Sequence, residues 1–227
     1  QRQMCIRDRT GVLPRALPVS PISNSFNEID ISDSPERLTE EFGLGLAKSP
    51  FLNAGIFFDG RAFTINTTPN WVGKKFVLGD VLEDAINVPS NYWIDDDKAI
   101  ESWAYLKGAK SIERVHRASG TPYLYTEGKM AFPDLLEKPS RTILTGEGGA
   151  TASRFKHIIS QEGRFRRLIP VELERLSGFP DNFTLEGTNG ILRDSRRAFF
   201  MGNALVVGLV ERIGAILATD VKSEGRA

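Results

Sequence analysis

The residues of this 227-residue chain best suited to chemistry are cations concentrated in one segment. Residues 141–167, RTILTGEGGATASRFKHIISQEGRFRR, include six basic and two acidic side chains and are punctuated by glycine. A basic, glycine-punctuated segment can follow a phosphate backbone. A solvated loop with chance charge is the alternative interpretation. Residues 26–41 have the opposite bias, with six acidic side chains and one basic side chain.

Other reactive side chains are scarce. Cys5 is the single cysteine, which excludes an internal disulfide framework and a cysteine-based zinc site, and two histidines, His116 and His157, argue against a histidine-rich metal site. The 29 basic and 29 acidic residues cancel, so the whole chain carries no nucleic-acid signature. No apolar run approaches membrane-spanning length and no signal peptide is evident, so we expect a cytoplasmic protein.

Two downstream segments carry the helix signals that must position the cations. In RRLIPVELERLSGFPDNF, residues 166–183, Pro170 fixes the first helical turn, Leu173 and Leu176 face inward, and Gly178 permits a left-handed exit. In FFMGNALVVG, residues 199–208, Asn203 is the expected N-cap of a final helix. The apolar stripe of that helix is predicted to comprise Leu205, Leu209, Ile213 and Ile216, joined by Val206 and Leu217.

The upstream part of the chain predicts short, mixed elements. Ser34 caps a short helix that ends at Gly43, and Asp59-Gly60 forms the turn of a β-hairpin. A helix over 95–108 begins with acidic residues and ends at Gly108. One or two helical turns are predicted over 78–84, a strand with a turn over 121–132, and a strand entering a glycine loop over 140–146.

Together these motifs resemble the DNA (cytosine-5) methyltransferases. Residues 166–181 resemble the ninth motif of that family, and residues 200–207, FMGNALVV, resemble the tenth, in the right order and with a short gap. The run SRTILTGEGG, residues 140–149, resembles the Thr-Leu element and glycine loop that close the family's target recognition domain. Two positions depart from the pattern, because Ile169 replaces a capping threonine and Ser177 replaces glutamine.

The resemblance implies a fold class and a domain division. We expect a mixed α/β chain with an irregular recognition domain of short strands and helices. The C-terminal helix is expected to belong to a Rossmann-like methyltransferase domain that is mostly absent from the chain. Residues 1–10 resemble translated sequencing-adapter text and are predicted to be non-native. The expected divisions that follow are a target recognition region at 11–165, a ninth-motif helix-turn at 166–183, and the tenth-motif segment with its helix at 184–220.

The family's chemistry, as the resemblance implies it, is methyl transfer from S-adenosylmethionine to carbon 5 of a cytosine rotated out of double-stranded DNA. A cysteine in Pro-Cys attacks carbon 6, a glutamate in Glu-Asn-Val holds ring nitrogen 3, and a Phe-x-Gly-x-Gly loop binds the cofactor. None of these three motifs occurs in the chain. We therefore expect it to be inactive alone, with no catalytic residue of its own.

The residues that the family resemblance assigns to sites divide into two sets. The cofactor-side set is Gly202, Asn203 and Ala204, with an N-cap alone as the alternative role of Asn203. Tyr123, Tyr125 and Lys129 are further candidates for reading the sequence. The DNA-side set comprises Arg141, Thr142, Ile143, Gly148, Gly149, Arg154, Lys156 and Arg164. For each arginine in this set, the alternative is a solvent-facing or structural role.

Three hypotheses remain open from the sequence. The chain is part of a longer methyltransferase, a recognition subunit completed by a catalytic partner chain, or a non-enzymatic DNA-binding module. The expected partners are double-stranded DNA, the catalytic domain or partner chain, and a cognate restriction endonuclease, all in a prokaryotic setting. Salt-dependent DNA binding by a monomeric chain without a catalytic partner would favour the third hypothesis.

Overall fold

The computed structural model describes residues 11–34, 36–38, 51–73, 75–117, 120–188 and 190–224. The segment predicted to be non-native, residues 1–10, lies outside them, as does the predicted end of the short helix at Gly43. Its predicted cap is present, because the Arg37 amide donates to Ser34 Oγ at 3.3 Å. The chain divides into two compact units, residues 1–74 with 209–227 (unit 1) and residues 75–208 (unit 2).

Unit 1 is built from short antiparallel strands. The hairpin predicted around Asp59-Gly60 is confirmed, and both turn residues have positive φ, 48° and 71°. Glycine and aspartate adopt that backbone conformation most readily, so this turn is determined locally. The elements of unit 1 are helix α1 (Val12–Ala16), the pair β1 (Val19–Pro21) and β5 (Thr67–Pro69), and a three-stranded sheet ordered β2 (Asn27–Asp30), β4 (Arg61–Ile65), β3 (Ala54–Phe58).

Unit 2 holds the cation-rich segment and both family-like motifs. Its sheet is ordered β6 (Trp93–Ile94), β10 (Arg164–Arg167), β9 (Ile158–Gln161), and β7 (Lys110–Val115) pairs with β8 (Pro122–Glu127). A small hairpin joins β11 (Glu186–Gly187) and β12 (Gly190–Ile191). Its helices are α2 (Asp97–Lys107), α3 (Pro170–Leu176) and α4 (Asp194–Asn203), and short 3-10 turns lie at Leu78–Val81, Ala85–Asn87 and Ser90–Tyr92. The mixed α/β class with short elements is thus confirmed.

Helix α2 matches its prediction closely. The Asp96 carboxylate accepts from the Ala99 amide at 2.9 Å, and Gly108 follows the last helical residue. Trp103 is fully buried, as expected for the inward face. Local signals suffice here because capping groups and the apolar stripe lie within one turn or two of each other.

The apolar core of unit 2 joins the two motif segments. Leu173 from α3 and Ala198 and Met201 from α4 pack with Ile159 of β9 and with Leu168. Leu176 and Phe179 extend this cluster, as the inward face predicted for 170–176 requires. The core therefore fixes α3 and α4 against each other.

The structure makes three corrections to the predicted elements. The final helix, α5, is Val207–Glu224 and does not begin at Asn203, which is the last residue of α4. Leu205 and Val206 of the predicted apolar stripe therefore precede the helix. Helix α4 itself was not predicted. The chain leaves α4 at Ala204, whose backbone is extended, and the Val207 amide then donates to the Ser177 carbonyl at 2.9 Å. The break is therefore set by a contact with a turn about 30 residues away in sequence.

The third correction concerns residues 140–146, which do not form the predicted strand. They are extended coil leading into a turn at 145–148, and no described strand pairs with them. A β-strand needs the backbone of a neighbouring strand, whereas this segment is held by side chains. Ile143, for example, packs against the core of unit 2.

Candidate nucleic-acid interface

Most charged residues of the motif at 166–181 are buried, namely Arg166, Arg167, Glu172 and Glu174. Both Arg166 and Glu172 are fully buried, and two guanidinium nitrogens donate to the Glu172 carboxylate at 2.9 and 2.6 Å. The same carboxylate accepts from the Ile169 amide at 2.8 Å and from the Glu83 amide at 3.0 Å. Glu172 therefore supplies the N-terminal cap that Ile169 cannot provide, because an isoleucine side chain has no acceptor.

A second buried ion pair ties α3 to α4. The Glu174 carboxylate accepts from Arg197 at 3.0 Å, from the Asn182 and Thr184 amides, and from the Thr184 hydroxyl. Gly178, with φ of +79°, makes the left-handed exit predicted for it. The segment thus serves to hold α3 and α4 together, since its buried charged groups form hydrogen bonds within the protein.

The glycine turn at 145–149 lies directly against α4. A Cβ on Gly148 would come within 2.8 Å of the Ala198 Cβ and the Ser195 Cα, and a Cβ on Gly202 would come within 2.5 Å of the Leu144 carbonyl carbon. No side chain fits at either position, so glycine is required by close approach on both surfaces. The structure thereby brings the tenth-motif Gly202 together with the predicted recognition loop.

Arg141 belongs to a buried charge cluster centred on Asp134. The Asp134 carboxylate accepts from Arg141 at 2.8 and 3.0 Å, from the fully buried Lys107 at 3.0 Å, and from the Ile158 amide at 2.8 Å. Burial would raise the pKa of Asp134, but these hydrogen bonds and the two cations outweigh it and hold that pKa below its usual value. Burial is the main cause that lowers the pKa of Lys107.

A row of three hydrogen-bonded side chains closes the base of the glycine loop. Ser140 Oγ lies 3.0 Å from His157 Nε2, and His157 Nδ1 lies 3.1 Å from Glu147 Oε1. The order is that of a hydrolase triad, yet Ser140 Oγ also donates to the Arg141 carbonyl, and His157 and Glu147 are both buried. These contacts serve to hold the two ends of the loop together, since the histidine has no access to a substrate.

The other predicted cations also have internal partners. Lys156 Nζ donates to the Gly149 and Thr151 carbonyls at 2.9 and 2.7 Å, and burial lowers its pKa. Arg154 donates to the carbonyls of Leu106, Gly108 and Gly128, and pairs with Glu127 at 3.0 Å. Arg164 is the most exposed of the four, and it pairs with Asp95 at 2.7 Å over the Trp93 ring.

One of the three cofactor-side candidates lines a cavity of about 550 Å³ in unit 2. Ala204 lines it, whereas the Gly202 Cα is packed on the recognition loop. Asn203 is exposed, and its amide nitrogen donates to the Phe199 carbonyl at 2.9 Å, which is a bond within α4 and not an N-cap of α5. The remaining walls are formed by Phe183, Thr184, Glu186, Gly187, Thr188, Leu192, Arg196, Phe200 and Met201.

Sequence reasoning missed two exposed cations of unit 2. Arg114 and Arg117 lie on and just after β7, both exposed, and neither forms a salt bridge with any described residue. Tyr123, a candidate from the sequence, lies beside them, and Tyr125 is on the same strand. The signal that could have identified them is the strand Lys110–Val115 facing an aromatic strand, which together form a two-stranded ribbon.

Two further searches were restricted to the described part of the chain. No group of three or more His, Cys, Asp or Glu side chains there could hold a metal ion. No helix there is long and apolar enough to span a membrane.

Comparison with known proteins gives two matches. The family model described as C-5 cytosine-specific DNA methylase matches residues 63–218. The type II methyltransferase M.Sau3AI of Staphylococcus aureus is 36% identical over 206 residues, which are 90% of this chain and 46% of that protein. The chain therefore spans about half the length of this relative.

Proposed function

This chain belongs to the family of C-5 cytosine-specific DNA methylases, and we propose that it supplies the DNA target recognition part of such an enzyme. The observation that carries the proposal is the family match across residues 63–218, which includes all of unit 2. The reaction served is methyl transfer from S-adenosylmethionine to carbon 5 of cytosine in a specific DNA sequence. The setting is a restriction–modification system, as the type II methyltransferase relative suggests.

In this proposal the chain's residues position DNA, and the reacting groups come from a catalytic part. The Pro-Cys, Glu-Asn-Val and Phe-x-Gly-x-Gly motifs do not occur among the 227 residues. A thiolate nucleophile is needed to activate carbon 5 by adding to carbon 6, and Cys5 does not follow a proline. The 227 residues alone therefore do not methylate DNA, and they bind duplex DNA through unit 2. A self-contained DNA-binding module would also bind DNA alone, so complementation of a catalytic part, and not DNA binding, separates the two functions.

The wall of the 550 Å³ cavity has the chemistry of a nucleoside site. Phe183 and Phe200 offer aromatic surface for a base, and the exposed Glu186 carboxylate offers polar atoms for a ribose. S-adenosylmethionine, when bound, supplies the methyl group. In the proposal Ala204 and Asn203 lie at the cofactor side, and Gly202 acts through its packing on the Leu144–Thr145 backbone.

Helix α5 is proposed to dock on the Rossmann-like catalytic domain. Its residues Val210, Leu217 and Val221 are 46%, 48% and 70% exposed and follow one another at spacings of seven and four. Such spacing places them on one side of the helix, where an apolar stripe marks a contact surface. This exposed stripe supports a partner-dependent function over that of a self-contained DNA-binding module.

The test is a methyl-transfer assay with radiolabelled S-adenosylmethionine and duplex DNA. The 227-residue chain is assayed alone and after mixing with a separately produced catalytic part that carries the three missing motifs. We expect label in DNA only with the mixture, and loss of that label when the catalytic cysteine is changed to serine. Transfer of label by the chain alone would contradict the proposed division of labour.

A further inference from the structure

The strands β7 and β8 form a ribbon with unusual exposure. Six residue pairs, from Lys110 with Glu127 to Val115 with Pro122, are in antiparallel register, and no other described strand joins the ribbon. Val115 and Leu124 on one face are 63% and 60% exposed, and Tyr123 on the other face is 45% exposed. A two-stranded ribbon that is exposed on both faces has only marginal stability by itself. Exposed apolar side chains on such a ribbon indicate a binding surface.

The far end of the ribbon is cationic. Residues 114–123 include Arg114 and Arg117 and no carboxylate. Arg114, Val115, His116, Arg117 and Tyr123 line an open cleft of about 540 Å³. The Arg114 guanidinium stacks on the Tyr125 ring at 3.8 Å, which leaves its N–H groups directed around the edge of the stack. This end of the ribbon therefore offers cations and an aromatic ring to a polyanion.

The near end of the ribbon is fixed by Arg154. Its guanidinium binds three backbone carbonyls, of Leu106, Gly108 and Gly128, that flank the starts and ends of the strands. It also pairs with Glu127, which accepts from the Tyr125 hydroxyl at 2.7 Å. A continuous series of contacts thus runs from Arg154 to Arg114, and it holds the exposed arginine in a defined position.

We propose that the far end of this ribbon enters the major groove of duplex DNA, with Arg114 and Arg117 as its cationic contacts. The inference rests on the proposed function and assigns the recognition surface within it. Strands about 4.8 Å apart with their side chains match a major groove roughly 12 Å wide, whereas the minor groove, roughly 6 Å wide, is too narrow. Arg154 is a positioning residue, and it does not touch DNA.

The choice of DNA over a protein partner follows from the charge at the far end. A protein surface docking on Val115 and Leu124 would bury the apolar face and leave both arginines at the rim. A phosphate backbone pairs with both arginines, and the ribbon residues between them can meet base edges. Duplex DNA is therefore the occupant that uses every feature of this end of the ribbon.

The test measures binding of the full chain to a mixed-sequence duplex as a function of salt concentration. R114A and R117A should each weaken binding several-fold at low salt, and should each reduce the slope of log K against log[salt] by about 0.9. Lys98→Ala, an exposed cation in α2 away from the ribbon, is the matched control and should leave the slope unchanged. Melting temperatures of all variants should equal that of the wild-type chain, because both arginines are exposed.

Three outcomes separate the inference from the function on which it rests. A folded wild-type chain that does not bind duplex DNA at low salt would overturn both. Salt-dependent binding that R114A and R117A leave unchanged would overturn the ribbon assignment and preserve the proposed function. A major-groove dye such as methyl green should compete with the chain, and competition by the minor-groove ligand netropsin alone would also overturn the assignment.

Discussion

At the scale of single residues, the cations of the segment 141–167 mostly stabilise the protein. Arg141, Arg154 and Lys156 use their N–H groups on backbone carbonyls and buried carboxylates. A guanidinium with five donors can satisfy several carbonyls at once in a loop that has no strand partners. Their proposed DNA contacts would have to be made alongside these bonds, which is why the exposed Arg114 and Arg117 are better placed.

Asp134→Asn should destabilise the protein strongly. The change leaves the fully buried Lys107 without its opposing charge, and breaking a buried ion pair costs about 3–5 kcal/mol. Asp95→Asn is the matched control, because the Asp95 pair with Arg164 is exposed, and solvent and salt screen such a pair so that it contributes little to stability. Urea unfolding of the two variants measures the difference, and similar losses would contradict the burial argument.

The same carboxylate predicts a dependence of stability on pH. The pKa of Asp134 is lower in the folded than in the unfolded chain, so the unfolded state takes up the proton first as pH falls. The ionised Asp134 contributes its full stabilisation of the folded state above about pH 4, the ordinary pKa of an aspartate. This stabilisation is lost as pH drops through the folded pKa. The unfolding free energy of the wild type should therefore approach that of Asp134→Asn as pH falls below about 4 and through the lowered folded pKa. A constant difference between the two would refute this assignment.

At the scale of elements, the closest packing in unit 2 is between the glycine turn and α4. Gly148 and Gly202 remove the side chains that would separate the two backbones. The turn is also tied down by Glu147, which accepts from the His157 amide at 2.6 Å. Because α4 ends one residue after Gly202, the glycine turn is packed against the last turn of that helix.

Gly202→Ala should destabilise unit 2 by about 1–3 kcal/mol, the usual cost of overpacking. The new Cβ would lie 2.5 Å from the Leu144 carbonyl carbon, and backbone cannot rotate away as a side chain could. Gly208→Ala is the matched control, since a Cβ at Gly208 meets no atom within 4 Å. It should be neutral or slightly stabilising, because alanine favours helix over glycine. Thermal unfolding of both variants tests the contrast, and equal melting temperatures would count against close packing.

At the scale of the whole molecule, the proposed function divides the work between surfaces of this chain and reacting groups of a catalytic part. The β7–β8 ribbon lies in unit 2, and the exposed stripe of Val210, Leu217 and Val221 lies on α5. If the stripe is the docking surface, its disruption should affect methyl transfer by the mixture without affecting the chain's own fold. DNA binding and complementation are therefore separable properties.

Val210→Asp combined with Val221→Asp should abolish complementation in the methyl-transfer assay. Both side chains are largely exposed, so the unfolding free energy should change by about 1 kcal/mol or less. A carboxylate buried against an apolar partner surface is costly, which explains the expected loss of association. Glu211→Ala on the same helix is the control and should retain activity. Full activity of the double variant would show that α5 docks elsewhere or not at all.

The sequence alone determined the features that depend on neighbours along the chain. The Asp59-Gly60 turn, the Asp96 cap of α2 and the helix-turn from Pro170 to Gly178 each follow from local backbone preferences. The family also follows from sequence, because the order and spacing of its motifs are properties of the chain.

Only the tertiary structure decided which polar groups already have hydrogen-bond partners within the protein. Arg154 meets carbonyls between 26 and 48 residues away, and the break between α4 and α5 depends on the Ser177 carbonyl. No local pattern encodes such partners, because a cation on a loop looks the same in sequence whether it faces solvent, DNA or a buried carbonyl. Long-range contacts fix that choice, and they leave Arg114 and Arg117, at the end of the β7–β8 ribbon, among the exposed cations of unit 2.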